Sequence, residues 1–305
     1  MTTQMQTIAA QDLNECRNMP VTPRRHPGRA VAGAVVLIFL GWLALGAVRN
    51  PAFGWLTVIH YLFNRDILRG LGLTLWLTAV VAVLGFALGT PLALMRLSAN
   101  PVLRTTSAAY VWLFRSVPLL VQLLFWYNIG YLVPVITVRI PFGPTLLALP
   151  SRDLISAELA AIIGLTVHEA AYAAEIVRGG LLSVDVGLME AARSFGLSPR
   201  SIFRHVILPQ ALPTVLPAAG NLIVGTLKGT SIVSIIAVSD LLYSAQLIYN
   251  QNYQIVPLLM VATLWYIAAT TCLGVLQRFI ERRYAPGTLA QAGGRKGRGP
   301  LGADV

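Results

Sequence analysis

The chain has 305 residues, of which 56% are hydrophobic and only 11% are charged, and its formal net charge is +11. Since soluble domains carry about 25% charged residues, this composition excludes an ordinary globular protein and predicts an all-α integral membrane protein. In such a protein the excess of Lys and Arg belongs in cytoplasmic loops, rather than on a surface that binds nucleic acid.

Six apolar runs are long enough to cross a bilayer, which takes roughly 20 residues as a helix. They cover residues 30–48, 70–95, 105–133, 155–177, 211–238 and 256–277. The first run follows Arg24, Arg25 and Arg29, which favours an uncleaved anchor over a secretion signal. We expect residues 1–29 to be a cytoplasmic segment and the Gly-rich basic residues 286–305 to be a disordered tail.

The distribution of basic residues predicts that both termini are cytoplasmic. With the N-terminus inside, the cytoplasmic segments hold 16 of the 23 Lys and Arg residues, whereas the outer loops hold 5. Cytoplasmic loops of membrane proteins are enriched in these residues. Arg49, Arg65 and Arg69, in the first outer loop, run against this trend.

The third run is interrupted by Arg115, Ser116 and Pro118. Proline breaks the helical hydrogen-bond ladder, and a serine hydroxyl can satisfy some of the backbone groups that are freed. We expect Arg115 near the inner mouth of the protein. Two roles remain open for these residues: a gate beside a solute cavity, or a kink that packs helices.

The fourth and fifth runs carry ionisable residues, which are costly at bilayer depth and often functional. Glu158 and Glu169 are 11 residues apart, close to three helical turns, and therefore share a face. Together with His168 and Lys228 they suggest a polar pathway, and its acidic face would suit a cationic or zwitterionic solute. The alternative is an ion pair that locks two helices; by depth, Lys228 matches Glu158 better than Glu169.

Residues 187–209, between the fourth and fifth runs, have the character of a soluble segment. Good helix formers at 190–193 are followed by Gly196, where a helix can end in the left-handed conformation. Ser198 then predicts the N-cap of a second short helix, with a proline at its first position. We expect this second helix to end at Pro209.

The first of these short helices has an apolar face at helical spacing, formed by Leu188, Ala191, Ala192 and Phe195. Helices of this length are marginal alone in water, so the segment is expected to dock against something. Two interpretations fit: a helix that lies on lipid headgroups, or a knob that enters a groove on a cytoplasmic partner.

The same segment, EAARSFGLSPRSIFRHVILP, resembles the EAA motif of permease subunits of bacterial ABC importers. The matching residues are Glu190, Ala191, Ala192, Gly196, Leu208 and Pro209, with Val206 in place of the motif's isoleucine. Resemblance to the polar amino acid and opine branch is carried by YVWLFRSVPLLVQLL, AAYAAEIVRGGLLSV, LPQALPTVLPAAGN and LKGTSIVS.

This resemblance implies a type I importer permease domain of five helices over residues 65–285, with residues 30–48 as an added N-terminal helix. It implies a multi-pass protein of the bacterial inner membrane that works as a dimer with itself or a paralogue. The EAA loop, residues 187–209, would be gripped by separate ATPase subunits. An extracytoplasmic solute-binding protein would deliver the polar amino acid or opine.

The sequence lacks a phosphate-binding loop of the form G-x-x-x-x-G-K-[ST]. We therefore expect ATP and Mg on the partner ATPase, and no cofactor, metal site or catalytic residue in this chain. His168 and Glu169 begin like a zinc-binding H-E-x-x-H motif, but Tyr172 replaces the second histidine. The rival function is a secondary transporter or channel that uses the intramembrane carboxylates and needs no ATPase.

Overall fold

The computed structural model describes residues 27–139, 145–150 and 156–284. Most of the expected cytoplasmic segment at the N-terminus, and the whole expected tail, lie outside these residues. The chain divides into two units, one ending at Phe53 and one beginning at Gly54.

The first unit contains helix α1 (Pro27–Arg49) and a 3-10 turn, Pro51–Phe53. Residues 31–49 of α1 form an apolar stretch of 19 residues, long enough to cross a membrane. The added N-terminal helix predicted at 30–48 is therefore present as a helix.

The second unit is built from helices, a π-helical turn (Phe203–Ile207), a 3-10 segment (Thr230–Ile236) and two short strands. The strands are β1 (Val135–Arg139) and β2 (Thr145–Pro150). The helices are α2 (Trp55–Leu62), α3 (Arg65–Leu97), α4 (Pro101–Ser116), α5 (Leu119–Tyr127), α6 (Ile129–Leu132), α7 (Ala157–Leu182), α8 (Val186–Ser194), α9 (Pro199–Ile202), α10 (Leu208–Gly229), α11 (Leu241–Asn252) and α12 (Ile255–Tyr284).

Among the described residues, five helices are long and apolar enough to span a membrane, or six if α4 and α5 count as one broken span. Each of the six predicted runs coincides with one of these elements. The longest continuous helical stretch, Pro199–Ile236, has 38 residues and joins the end of the soluble-looking segment to the fifth run.

The antiparallel hairpin of β1 and β2 is the departure, within the described ranges, from the all-α prediction. Val135 pairs with Pro150, and the register shifts between Val138 and Arg139. The first strand reads VITVR, and such β-branched residues favour extended backbone. The hairpin lies between α6 and α7, in a loop that the sequence predicts to be outside the membrane.

Close packing of α3 on α7 sets the position of the fourth run. A Cβ atom on Gly85 would lie 2.7 Å from Cγ of Glu169, and one on Gly89 would lie 2.8 Å from the carbonyl oxygen of Ala170. Glycines facing alanines let two helix backbones approach closely, as is common between membrane helices. The α7 segment that carries Glu169 is thus held against α3 by backbone contact.

The third run is broken where the sequence predicts, and α4 and α5 meet at an angle of 101°. Pro118 immediately precedes α5. The carbonyl oxygens of Phe114 and Val117 at the break both accept hydrogen bonds from the side chain of Gln122, at 2.9 and 2.8 Å. Ser116, which the sequence suggested for this role, is exposed. Gln122 can do so because it lies one turn into α5 and folds back over the break.

Candidate functional site

A cavity of about 220 Å³ opens between α7 and α10, beside the start of α5. Its polar lining consists of His168, Glu169, Tyr172, Asn221 and Thr226. Two of these are residues that the sequence singled out for a solute pathway, and the two on α10 were not predicted. Asn221 and Thr226 lie among the glycines and small residues of the fifth run, where no periodic signal marks them.

Glu169 is the buried acid of the cavity, with 4% of the residue exposed. The hydroxyl of Thr226 donates a hydrogen bond to its Oε1 atom, which connects α7 to α10. Buried carboxylates are costly unless they accept hydrogen bonds or meet a positive charge. Among the described residues the donor to this carboxylate is the Thr226 hydroxyl, so its remaining lone pairs can accept hydrogen bonds from a cationic group in the cavity.

His168 lies one residue before Glu169 and also lines the cavity. Its Nδ1 atom is 3.1 Å from Nε2 of Gln122. Its ring centroid is 5.0 Å from that of Tyr172. The guanidinium carbon of Arg115 lies 5.1 Å from the centre of the same tyrosine ring, which is a cation–π distance.

Glu158 and Lys228 do not line this cavity. Glu158 is exposed in the first turn of α7, about 16 Å along the helix from Glu169 at 1.5 Å per residue. Lys228 is exposed on the face of α10 that also presents Asn221 and Gly225. Within the described part of the chain, neither acid forms an ion pair with Lys228, so the proposed helix lock is not seen.

Arg115 and Ser116 line a second cleft of about 370 Å³ at the C-terminal ends of α3 and α4. The acid of this cleft is Glu175, whose Oε2 accepts a hydrogen bond from Arg178 at 2.6 Å, while its Oε1 lies 3.7 Å from Arg96. Arg115 and Ser116 therefore lie in the same cleft as an arginine cluster, Arg96, Arg115 and Arg178, around Glu175. Glu175 is about one turn along α7 from Tyr172 of the cavity.

The segment between α7 and α10 has the predicted local geometry. Helix α8 ends at Ser194, and Gly196 has a φ angle of +71°. The amide of Leu197 donates to the carbonyl of Ala192 at 3.2 Å, and that of Gly196 donates to Arg193 at 2.9 Å. This is the Schellman pattern of helix termination.

The second short helix starts as predicted, since the Ser198 hydroxyl accepts the backbone N–H of Ser201 at 3.3 Å. It does not end at Pro209, however, and that prediction was wrong. The turn Phe203–Ile207 is π-helical, and the amide of Leu208 bonds to the carbonyl of Phe203, five residues back. The wider turn accommodates the proline ring, which has no amide hydrogen to place, and the helix continues into α10.

Several apolar side chains of this segment are left exposed. Phe195 is 85% exposed and Leu188 is 48% exposed, whereas Ala192 of the same predicted face is buried. Glu190 and Ala191 are also exposed. Glu190 and Ala191 of the EAA motif therefore sit on a short helix whose larger apolar side chains are exposed.

A family model described as "binding-protein-dependent transport system inner membrane component" matches residues 83–286. This range includes the cavity, the arginine cluster and the EAA segment.

Three similar curated proteins are transport permeases. An arginine transport system permease protein of Corynebacterium glutamicum is 40% identical over 268 residues, covering 87% of this chain and 83% of that protein. A histidine/lysine/arginine/ornithine transport system permease protein of Salmonella typhimurium is 34% identical, and the match covers 70% of this chain and 88% of that protein. A nopaline transport system permease protein of Agrobacterium fabrum is 33% identical, with coverages of 72% and 88%.

Solved structures show the same fold. An amino acid ABC transporter, crystallised with histidines, has a chain that is 33% identical, with a TM-score of 0.62 over 75% of this chain and 97% of that one. The MetNI methionine ABC transporter, at 24% identity, gives a TM-score of 0.57 over 72% of this chain and 96% of that one.

Proposed function

This chain belongs to the family of inner membrane components of binding-protein-dependent transport systems, and from that premise we propose that it carries amino acids with a cationic group. It is a permease of ABC importer type, and relatives in its family are permeases for arginine, for histidine, lysine, arginine and ornithine, and for nopaline. The observation that supports this solute class is the buried Glu169 in the cavity.

The cavity is suited to one end of such a solute. The Glu169 carboxylate can receive an ammonium or guanidinium group, for which charge-assisted hydrogen bonds are the strong ones. Lys228 lies on the same face of α10 as Asn221, which lines the cavity. A lysine in that position can attract the carboxylate of a zwitterionic solute before or after it occupies the cavity.

The EAA segment is the proposed contact with the ATPase. Its exposed Phe195 and Leu188 offer an apolar knob of the kind that fits a groove. From Pro199 the chain is continuously helical as far as Ile236. Because this stretch includes Asn221 and Thr226, a displacement at the segment is passed along one helix to the wall of the cavity.

Two ATPase subunits, a second permease copy or paralogue, and an extracytoplasmic solute-binding protein complete the proposed importer, with ATP and Mg on the ATPase. ATP-driven closure of the ATPase pair would move the EAA segments and change the access of the cavity from outside to inside. The rival function, a secondary transporter or channel that uses Glu158 and Glu169 for protons, finds no counterpart among these relatives.

Transport in reconstituted vesicles tests the proposal. The complex with its ATPase and binding protein should accumulate arginine only when ATP is present on the ATPase side, and an imposed proton gradient should not replace ATP. Alanine, which lacks a cationic side chain, serves as the comparison solute and should be taken up poorly. Arginine accumulation driven by the proton gradient alone would contradict the proposal.

A further inference from the structure

Gln122 has an unusual place in the molecule, since it contacts both the break between α4 and α5 and the histidine of the cavity. The residue is 5% exposed. Its Nε2 atom lies 2.9 Å from the carbonyl oxygen of Phe114, 2.8 Å from that of Val117 and 3.1 Å from Nδ1 of His168. Its buried Oε1 atom has no hydrogen-bond partner within the described residues.

These contacts fix the orientation of the amide. If the group were flipped, Oε1 would face the carbonyl oxygens of Phe114 and Val117, and three acceptors would meet with no hydrogen between them. The NH₂ group therefore points at both carbonyls. One of its two hydrogens can be shared with a third acceptor in a three-centre bond, as is common at helix termini.

The fixed amide in turn restricts the imidazole of His168. A hydrogen on Nδ1 would bring two N–H groups together at 3.1 Å, whereas a bare Nδ1 can accept from the amide. A neutral imidazole with a bare Nδ1 carries its hydrogen on Nε2. His168 is then an uncharged donor in the cavity, and not a cation.

The charged and titratable groups near His168 belong to three helices: α7, α4 and α10. Glu169 and Tyr172 are on its own helix, and Arg115 of α4 lies over the ring of Tyr172. Tyr110 of α4 donates its hydroxyl hydrogen to the carbonyl of Val167. The charged residue of α10 is Lys228, which is exposed. A histidine cation here would neutralise Glu169, the acid that lines the cavity.

We propose that Gln122 is a positioning residue that keeps His168 neutral, with its hydrogen on Nε2, so that Glu169 remains free to bind the cationic group of the solute. The effect on transport rests on the proposed function, whereas the protonation state of His168 is argued from its contact with Gln122 alone. It also gives a reason for the contact between the amide that closes the helix break and a histidine of the cavity.

Nitrogen NMR on the purified complex, with ¹⁵N-labelled histidine, measures the state of the ring directly. The His168 signals are identified by their loss in a His168→Asn variant. At pH 7 we expect one protonated nitrogen, Nε2, and a bare Nδ1. A ring protonated on Nδ1, or on both nitrogens, would overturn the proposal. This measurement needs no transport, so it stands even if the solute class is wrong.

A second measurement separates positioning from a structural role. In Gln122→Leu the Nδ1 atom of His168 loses the amide that it accepts from, so a proton can be added there, and the KM for arginine should rise several-fold more between pH 7.5 and 5.5 than it does in the unchanged protein. Adding His168→Asn should remove this rise, and Gln251→Leu, at an exposed glutamine, should not produce it. An equal loss of rate at every pH, unaffected by the histidine change, would show that Gln122 only closes the break.

Discussion

The side chain of Glu169 is held in place by contacts with two neighbouring helices. The Cβ and Cγ atoms of its side chain lie against Gly85 of α3 on one side, and its carboxylate accepts a hydrogen bond from the hydroxyl of Thr226 of α10 on the other. The acid is thus fixed in place between two elements before any solute arrives, so little ordering is required when a solute binds. Glu158, on the same helix, is exposed and has no such support.

Replacing Glu169 by Gln should weaken uptake of cationic amino acids while leaving the complex assembled. Hydrogen bonds to a charged group contribute about 1.5–3 kcal/mol, so the KM for arginine should rise about 10- to 100-fold, since each 1.4 kcal/mol is a factor of ten. Glu158→Gln is the matched control and should change KM less than about twofold, since exposed charges contribute little. Equal effects of the two changes on KM in vesicle uptake would remove Glu169 from the pathway.

At the scale of elements, features with short-range causes were predictable and those with long-range causes were not. The left-handed Gly196 and the cap at Ser198 depend on neighbours within four residues, and both are confirmed. The contact of Gln122 with His168 joins residues that are 46 positions apart, and no local pattern shows it. The π-helical turn before Pro209 was missed because a proline usually ends a helix, and only the continuation into α10 shows that it does not.

The Schellman turn gives a test of the EAA segment that leaves its other exposed side chains in place. A left-handed residue other than glycine costs roughly 1–2 kcal/mol, but asparagine tolerates this conformation. We expect Gly196→Val to lower ATP hydrolysis stimulated by the binding protein by about 5- to 30-fold, and Gly196→Asn to retain most of it. No Cβ clash accompanies either change, because nothing lies within 4 Å of that position. If valine and asparagine behave alike, the turn does not set the coupling geometry.

For the whole molecule, the organisation proposed here depends on which end of each helix faces the cytoplasm. The excess of basic residues predicts that the EAA segment and both termini are inside, and that the hairpin and the turn between α11 and α12 are outside. The match to the arginine permease covers 87% of this chain. The residues that follow α1 make up a smaller share of the chain than this. That relative therefore shares at least part of the first unit, whose span sets the side on which the N-terminus lies.

Single cysteines at two exposed aromatic positions test this orientation. Phe195 in the EAA segment is 85% exposed and Tyr253 before α12 is 86% exposed, so a cysteine at either site is open to reagents. With Cys16 and Cys272 changed to Ser, and the permease expressed without its ATPase so that the EAA segment is uncovered, a membrane-impermeant maleimide should label Tyr253→Cys in intact cells. It should label Phe195→Cys only after the membrane is permeabilised. Both should react equally in detergent, which shows that each thiol is accessible. Labelling of Phe195→Cys from outside would place the EAA segment beyond the reach of a cytoplasmic ATPase, because a reagent that cannot cross the bilayer would have found it there.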